Sequence, residues 1–250
     1  MEEITSVNNQ LVKEAAKLSQ KKYRDSEDKF ILEGYKAIEG AIESEIEIEY
    51  IFVLKDKVEK YRFYKGKKIL TTEAVLKKIS DAESAPDAVG IAKQKHYKKS
   101  DFVGLKKVVL LEGIKDLGYL GTIHRTTYAF GVDGIVLYGN CADLYSPKCV
   151  RSSVGNLWKI PLISVNKLSD LKEMFSEYQR VATLPLANST LSEFKARDNI
   201  LVMFGSEADG LSEELKQYAT ESVKIEMSGN VESLNLAVSC AVVMYYLAVS

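Results

Sequence analysis

Leu201-Val202-Met203-Phe204 is a continuous apolar run, too short for a helix and right for a strand buried on both faces. Runs of that kind belong to parallel sheets. Directly after it, Gly205-Ser206-Glu207-Ala208-Asp209-Gly210-Leu211-Ser212 combines two glycines, small polar residues and an acid. Ser212, with glutamates behind it, is a good N-cap for a following helix. A second unit repeats the pattern: a short strand over Ser222–Met227, a small-residue loop over Ser228–Ser233, and a helix over Leu234–Leu247. Two strand–loop–helix units close the chain, which constrains it to an α/β fold. In open α/β sheets ligands bind at the carboxyl ends of the strands, where both glycine loops stand.

Upstream, Lys107–Gly113 reads as another buried strand and leads into Asp116–Gly131, where Gly118 and Gly121 permit sharp turning and Arg125 falls near the first turn of a helix. Val132–Tyr138 is the next strand. Ser146 then offers an N-cap and Pro147 the first helical position. Strands follow at Pro161–Ser164, Arg180–Leu184 and Ile200–Phe204, with helices over Leu168–Glu177 and Leu191–Lys195. About six strands alternating with helices from residue 107 onward predict a mainly parallel sheet.

The first half alternates α and β over roughly 95 residues, enough for a domain of its own. Residues 5–24 read as one helix with an apolar stripe from Leu11 to Leu18; Lys13, Lys17, Lys21 and Arg24 share its other face. Such a row either follows a phosphate backbone or is a solvated helix face. Strands at 29–34, 46–54, 68–70 and 89–92 flank helices at 35–43 and 72–79, with a lysine-rich segment running up to Lys68. Lys93–Leu105 is polar and holds a single His96, which reads as a solvated side chain. The expected division is therefore 1–98, a linker at 99–106, and 107–250.

Composition narrows the class. The chain is 46% apolar and 28% charged, ordinary for a soluble globular protein. No stretch reaches the ~18 apolar residues of a membrane span, and the acidic start Met1-Glu2-Glu3 is unlike a signal peptide. Three cysteines at unrelated spacings and two histidines argue against a disulfide framework and against a metal site, and favour the cytoplasm. Net charge is −1, with +2 in residues 1–100 and −3 in residues 101–250, so nucleic acid is neither announced nor excluded.

Three ordered motifs go further. Phe204–Ser212 resembles the second signature of the SpoU (TrmH-type) RNA 2′-O-ribose methyltransferases, and Ile225–Ser239, with Glu232-Ser233-Leu234-Asn235 opening a small-residue helix, resembles the third. Asp116, Gly121, Arg125 and Phe130-Gly131 resemble the first. There the chain departs from the family, having Leu117 and Tyr119 where proline and asparagine are usual; tyrosine is larger and carries no amide. The half before residue 98 resembles the α/β substrate-binding domain that precedes many such catalytic domains, through Ile4–Asn9, Lys22-Tyr23-Arg24, Phe30–Gly34 and Ser80–Ile91.

The resemblance implies a SPOUT domain, a parallel sheet whose C-terminal segment is threaded into a trefoil knot, together with the smaller N-terminal RNA-binding domain. It implies S-adenosyl-L-methionine as cofactor, a homodimer, and structured RNA as substrate, rRNA ahead of tRNA. Gly205 and Gly210 then allow close backbone approach to the cofactor, with Ile225, Met227 and Leu234 as its apolar wall. Arg125 is the expected catalytic residue, as phosphate clamp and transition-state stabiliser more than as base, since arginine is hardly ever deprotonated. Glu207, Ser233 and Asn235 complete the catalytic set. Lys22, Arg24 and Arg151 are the expected RNA contacts, with Tyr23 and Glu33 shaping that surface. Tyr119 keeps a second expectation open, a non-catalytic or weakly active RNA-binding member of the same fold.

Overall fold

The computed structural model describes residues 1–229 and 231–249. Asn230, part of the third motif, lies outside the described residues. The chain forms two compact units, Met1–Lys95 with Asp143–Lys159, and His96–Ala142 with Ile160 onward. The second stretch of the first unit is the departure from two consecutive domains meeting at 99–106.

The first unit contains β1 (Glu2–Ile4), α1 (Gln10–Lys17), α2 (Lys21–Glu27), β2 (Lys29–Glu33), α3 (Gly34–Glu43), β3 (Ile48–Leu54), β4 (Lys67–Thr71), α4 (Glu73–Ile79) and β5 (Ala88–Lys93). Its sheet runs β1-β4-β3-β5-β2, with β5 antiparallel to both neighbours. Val12, Ala15 and Leu18 pack with Val75, Leu76 and Ile79 onto Ile31, Phe52 and Ile91. The single helix expected over 5–24 is instead a turn followed by two helices, with β1 preceding it. Asn9 caps α1, accepting from the Leu11 N–H at 2.9 Å. After Leu18 the chain turns, and Arg24 of α2 donates to the Leu18 and Ser19 carbonyls that a continuous helix would have occupied, at 2.7 and 2.8 Å.

Residues 143–159 include α6 (Pro147–Ser152), whose Ser146 caps it by accepting from the Cys149 N–H, with Pro147 at its start. This stretch joins the first unit through rings and a close backbone approach. Tyr145 and Trp158 lie 4.7 and 5.5 Å from Phe30, centroid to centroid. A Cβ on Gly40 would stand 2.0 Å from the Gly155 carbonyl oxygen, so only glycine permits that crossing.

The second unit has β6 (Lys107–Glu112), α5 (Leu117–Ala129), β7 (Gly134–Tyr138), β8 (Leu162–Val165), α7 (Leu168–Phe175), β9 (Gln179–Thr183), β10 (Ser189–Thr190), β11 (Ile200–Phe204), α8 (Glu213–Tyr218), β12 (Glu221–Lys224) and α9 (Leu236–Val249). Its sheet order is β10-β12-β9-β11-β6-β7-β8, and every pairing is parallel. β6 and β11 are buried along their central residues, as their unbroken apolar runs require. The helix expected over 191–195 is absent; β10 pairs with β12 just before it, and 191–193 form a turn. Strand order reverses around β6, β11 and β9. There the loops leaving the carboxyl ends diverge and open a crevice.

Candidate active site

Three loops build the crevice, those after β9, β11 and β12. One part, of about 460 Å³, is lined by Thr183, Leu184, Pro185, Ile225, Met227 and Leu234 among others. The adjoining part, of about 1090 Å³ and open to solvent, is lined by Gly205–Leu211 together with Ser233, Leu234 and Asn235. Thr183, Leu184, Pro185, Ser233, Leu234 and Ser239 belong to both. All five residues expected to hold the cofactor therefore meet around one continuous space, with three of the four expected catalytic residues.

The geometry of each loop follows from its residues. Gly205 passes directly under Gly210, where a Cβ would stand 1.9 Å from the Gly210 carbonyl carbon. The turn between them is closed by the Gly210 N–H donating to the Ser206 carbonyl at 3.0 Å, and by the Asp209 N–H donating to Ser206 Oγ at 3.1 Å. Ser212 caps α8 and its own N–H donates to Glu112 Oε2 at 2.7 Å, which ties the loop to the end of β6. Asn235 Oδ1 accepts from the Ala237 N–H at 2.9 Å and caps α9, leaving the amide nitrogen as the end that can reach a ligand. Burial pushes the Cys240 thiol on α9 well above the usual range, and the charge of the exposed Glu207 adds to the shift.

The Thr183-Leu184-Pro185 loop is the part that sequence reading missed. Its signal was position alone: a proline-bearing turn at the carboxyl end of a parallel strand. Thr183 Oγ1 donates to the Met203 carbonyl at 2.8 Å, which fixes that wall to β11.

Arg125 stands apart. It is exposed on α5, does not line the crevice, and makes no ion pair or side-chain hydrogen bond with the described residues. Asp116 is instead the α5 N-cap, accepting from the Gly118 and Tyr119 N–H groups at 2.7 and 2.9 Å. The half-buried Tyr119 thus sits in the first turn of the helix that carries Arg125.

His124, next in sequence, faces the interior and is fully buried, with neither ring nitrogen hydrogen-bonded. Burial lowers its pKa from 6.5 to about 4. Because the folded value lies below the unfolded one, this group's contribution to stability is complete above about pH 6.5 and is lost as pH falls towards 4, by up to about 3 kcal/mol. His124→Leu is expected to flatten that loss, as urea melts between pH 7 and 4 would register.

The expected RNA contacts divide. Lys22 is exposed, its ammonium 5.7 Å from the Tyr23 ring centroid. Arg24 is 3% exposed and its guanidinium is consumed by Asp143, at 2.5 Å, and by the Leu18 and Ser19 carbonyls after α1. It is a bracket inside the first unit and cannot present itself to RNA; the cationic row of Lys13, Lys17, Lys21 and Arg24 is broken with it. Arg151 is held by Glu33 and Asp81, within the same unit. Glu33, itself nearly buried, also accepts from Ser80 Oγ, so it shapes the unit internally.

The fold and crevice define a ligand-binding α/β protein with its site at the switch point of a parallel sheet. Residues 106–245 match the SpoU rRNA Methylase family, and residues 9–90 match the MRM3-like substrate binding domain. The chain belongs to the SpoU rRNA methylase family. It is 33% identical to an uncharacterized tRNA/rRNA methyltransferase of Synechocystis sp., over 97% of this chain and 92% of the relative. It is 28% identical to the 23S rRNA (guanosine(2553)-2′-O)-methyltransferase RlmP of Bacillus subtilis, over 99% of each chain. The AdoMet-bound rRNA methyltransferase of Sinorhizobium meliloti superposes with a TM-score of 0.89 at 28% identity, covering 98% of this chain and 96% of that one.

Among the described residues, no helix is long and apolar enough to cross a membrane, and no cluster of three His, Cys, Asp or Glu side chains could hold a metal.

Proposed function

We propose that this protein transfers a methyl group from S-adenosyl-L-methionine to a ribose 2′-hydroxyl of rRNA, in the cytoplasm. The observation that carries the reading is the crevice, in which the second and third motifs and the β9 loop meet at the carboxyl ends of adjacent parallel strands.

The residues present fit the cofactor. The smaller part of the crevice has Ile225, Met227, Leu184 and Leu234 as apolar walls for a flat ring, with backbone groups of the β12 loop beside them. The larger part is open and of mixed character, with Ser206, Glu207, Ser233 and Asn235 in its lining to meet an amino-acid moiety and an incoming ribose. Bound there, the cofactor supplies an electrophilic methyl group. Gly205 and Gly210 keep the loop backbone close to it, Ser233 and the Asn235 amide orient the acceptor hydroxyl, and Glu207 holds the geometry of the β11 loop. Arg125 clamps the substrate phosphate and offsets the charge that develops as the hydroxyl loses its proton.

The crevice of a single chain lacks that arginine, which supports a homodimer. α9 is apolar on every side, Leu-Ala-Val-Ser-Cys-Ala-Val-Val-Met-Tyr-Tyr-Leu-Ala-Val, and a helix of that kind is buried all round. Yet Val238, Tyr245 and Val249 are exposed, as is Tyr128 on the neighbouring α5. Two copies joined through this face would cover it and bring Arg125 to a crevice. A trefoil knot at the C-terminus agrees with α9 packing on α5 although β12 lies three strands from β6.

The test is transfer of labelled methyl from S-adenosylmethionine to total rRNA and tRNA from cells lacking the protein. Label in 2′-O-methylated nucleotides of rRNA is expected, with Arg125→Ala slower by about a hundredfold and cofactor binding by calorimetry unchanged. Absence of cofactor binding in the wild type would overturn the proposal. Binding without transfer would leave a non-catalytic RNA-binding protein, with Tyr119→Asn the first reversion to make.

A further inference from the structure

With Arg24 and Arg151 turned inward, the first unit needs another face for RNA. Residues 55–68 hold seven Lys or Arg against two Asp or Glu, in a chain whose net charge is −1. The segment spans a 3-10 turn at Lys55–Tyr61 and the start of β4, and it alternates cations with rings in Tyr61-Arg62-Phe63-Tyr64-Lys65.

We propose that Lys55–Lys68, together with Tyr35 of α3, is an RNA-docking face on which an unpaired base stacks while neighbouring cations hold its phosphates; this rests on the RNA-methylating function above. The rings form a built platform. Tyr61 is fully buried, and its hydroxyl donates to Asp87. On that anchor Tyr35 and Phe63 are only half-buried, their centroids 5.0 Å apart and each 5.9 Å from that of Tyr61. Lys36 and Lys60 place ammonium groups 5.5 and 5.6 Å from the Tyr35 centroid.

Lys36 and Lys60 are themselves neutralised by Glu39 and Asp87, at 2.8 and 2.5 Å, and Lys57 and Lys67 pair with Asp56 and Glu2. Arg62 is exposed and its side chain has no ion pair or hydrogen bond among the described residues, and Lys65 reaches only the Arg62 carbonyl, at 3.1 Å. Arg62 and Lys65, without ion pairs among the described residues, therefore stand one and two positions from Phe63 in the chain. A nucleotide carries both complements, a flat base for the rings and a phosphate for the cations. An acidic protein supplies carboxylates for the cations but no base.

Filter binding of deproteinised total rRNA, between about 50 and about 200 mM salt, tests the face. Arg62→Ala/Lys65→Ala is expected to flatten the dependence of log affinity on log salt by about 1.4, or about 0.7 for each lost cation. Lys77→Ala/Lys78→Ala, which removes the same charge from exposed positions of α4, is expected to change it much less. Tyr35→Ala should weaken binding roughly tenfold with the slope unchanged, and Tyr35→Phe should restore it. Each variant is first shown to bind S-adenosylmethionine and to unfold at the wild-type midpoint.

If the two double variants behave alike, the face is overturned while the methyltransferase reading stands. If Tyr35→Ala binds as well as wild type, the stacking is overturned. Polyglutamate displacing rRNA as effectively as rRNA itself would reassign the face to acidic protein. Wild-type protein that binds no rRNA sinks the functional reading first and this one with it.

Discussion

Gly205→Val is expected to abolish cofactor binding, lowering the affinity for S-adenosylmethionine by at least about a hundredfold, equivalent to nearly 3 kcal/mol. A Cβ at this position would meet the Gly210 carbonyl carbon at 1.9 Å, its oxygen at 2.2 Å and the Leu211 nitrogen at 2.2 Å. These are backbone atoms, so no rotamer change relieves the overlap, and overpacking costs rise when the surroundings cannot shift. The turn is anchored on both sides, by β11 in the sheet centre and by Ser212 on Glu112. The loop must open, and with it the wall of the larger crevice. Gly210 provides the contrast. Its φ of +67° is left-handed, but nothing lies within 4 Å of a Cβ there. Gly210→Ala is expected to cost about 1 kcal/mol of stability and to leave binding measurable. Isothermal titration of both variants checks the pair, and wild-type affinity in Gly205→Val would show that the loop does not touch the cofactor.

Arg24→Ala is expected to destabilise the first unit by about 3–5 kcal/mol, the range for removing one partner of a buried ion pair. The change strands the Asp143 carboxylate, whose side chain is 17% exposed, and leaves the Leu18 and Ser19 carbonyls without their donor. Arg24→Lys is expected to recover only part of this, since one ammonium cannot reproduce a fork that serves three acceptors. Chemical denaturation followed by circular dichroism gives the magnitude. Rates of methyl transfer at a temperature where the variant stays folded should match wild type. A stable Arg24→Ala protein with weakened RNA binding would return this arginine to the RNA surface.

The two variants mark the limits of what was legible from residues in order. The loops that carry Gly205, Gly210, Ile225, Met227 and Leu234 were legible from short-range pattern, a buried strand, a small-residue loop at its carboxyl end and a following helix, and all five residues line the crevice. Such features depend on neighbours a few positions away. The parallel sheet followed in the same way from unbroken apolar runs. Its order did not, and Thr183-Leu184-Pro185 entered the site only because β9 lies beside both β11 and β12.

Charge was the least legible property. Lys13, Lys17, Lys21 and Arg24 form a row in sequence, yet the chain breaks after Leu18 and the last of the four is interior. Arg151 sits in the last turn of α6 and is spent on Glu33 and Asp81.

The sequence by itself determined the α/β class and the two glycine loops, because each is written in local periodicity and turn chemistry, and its three ordered motifs carried the family. Only the tertiary structure decided that 143–159 belongs with the first unit, that Arg24 and Arg151 are internal, and that Arg125 stands outside the crevice of its own chain. For the two internal arginines the reason is the same. A cation's role depends on which carboxylate or carbonyl lies within about 3 Å, and those partners, Asp143 for Arg24 and Glu33 for Arg151, are 119 and 118 positions away.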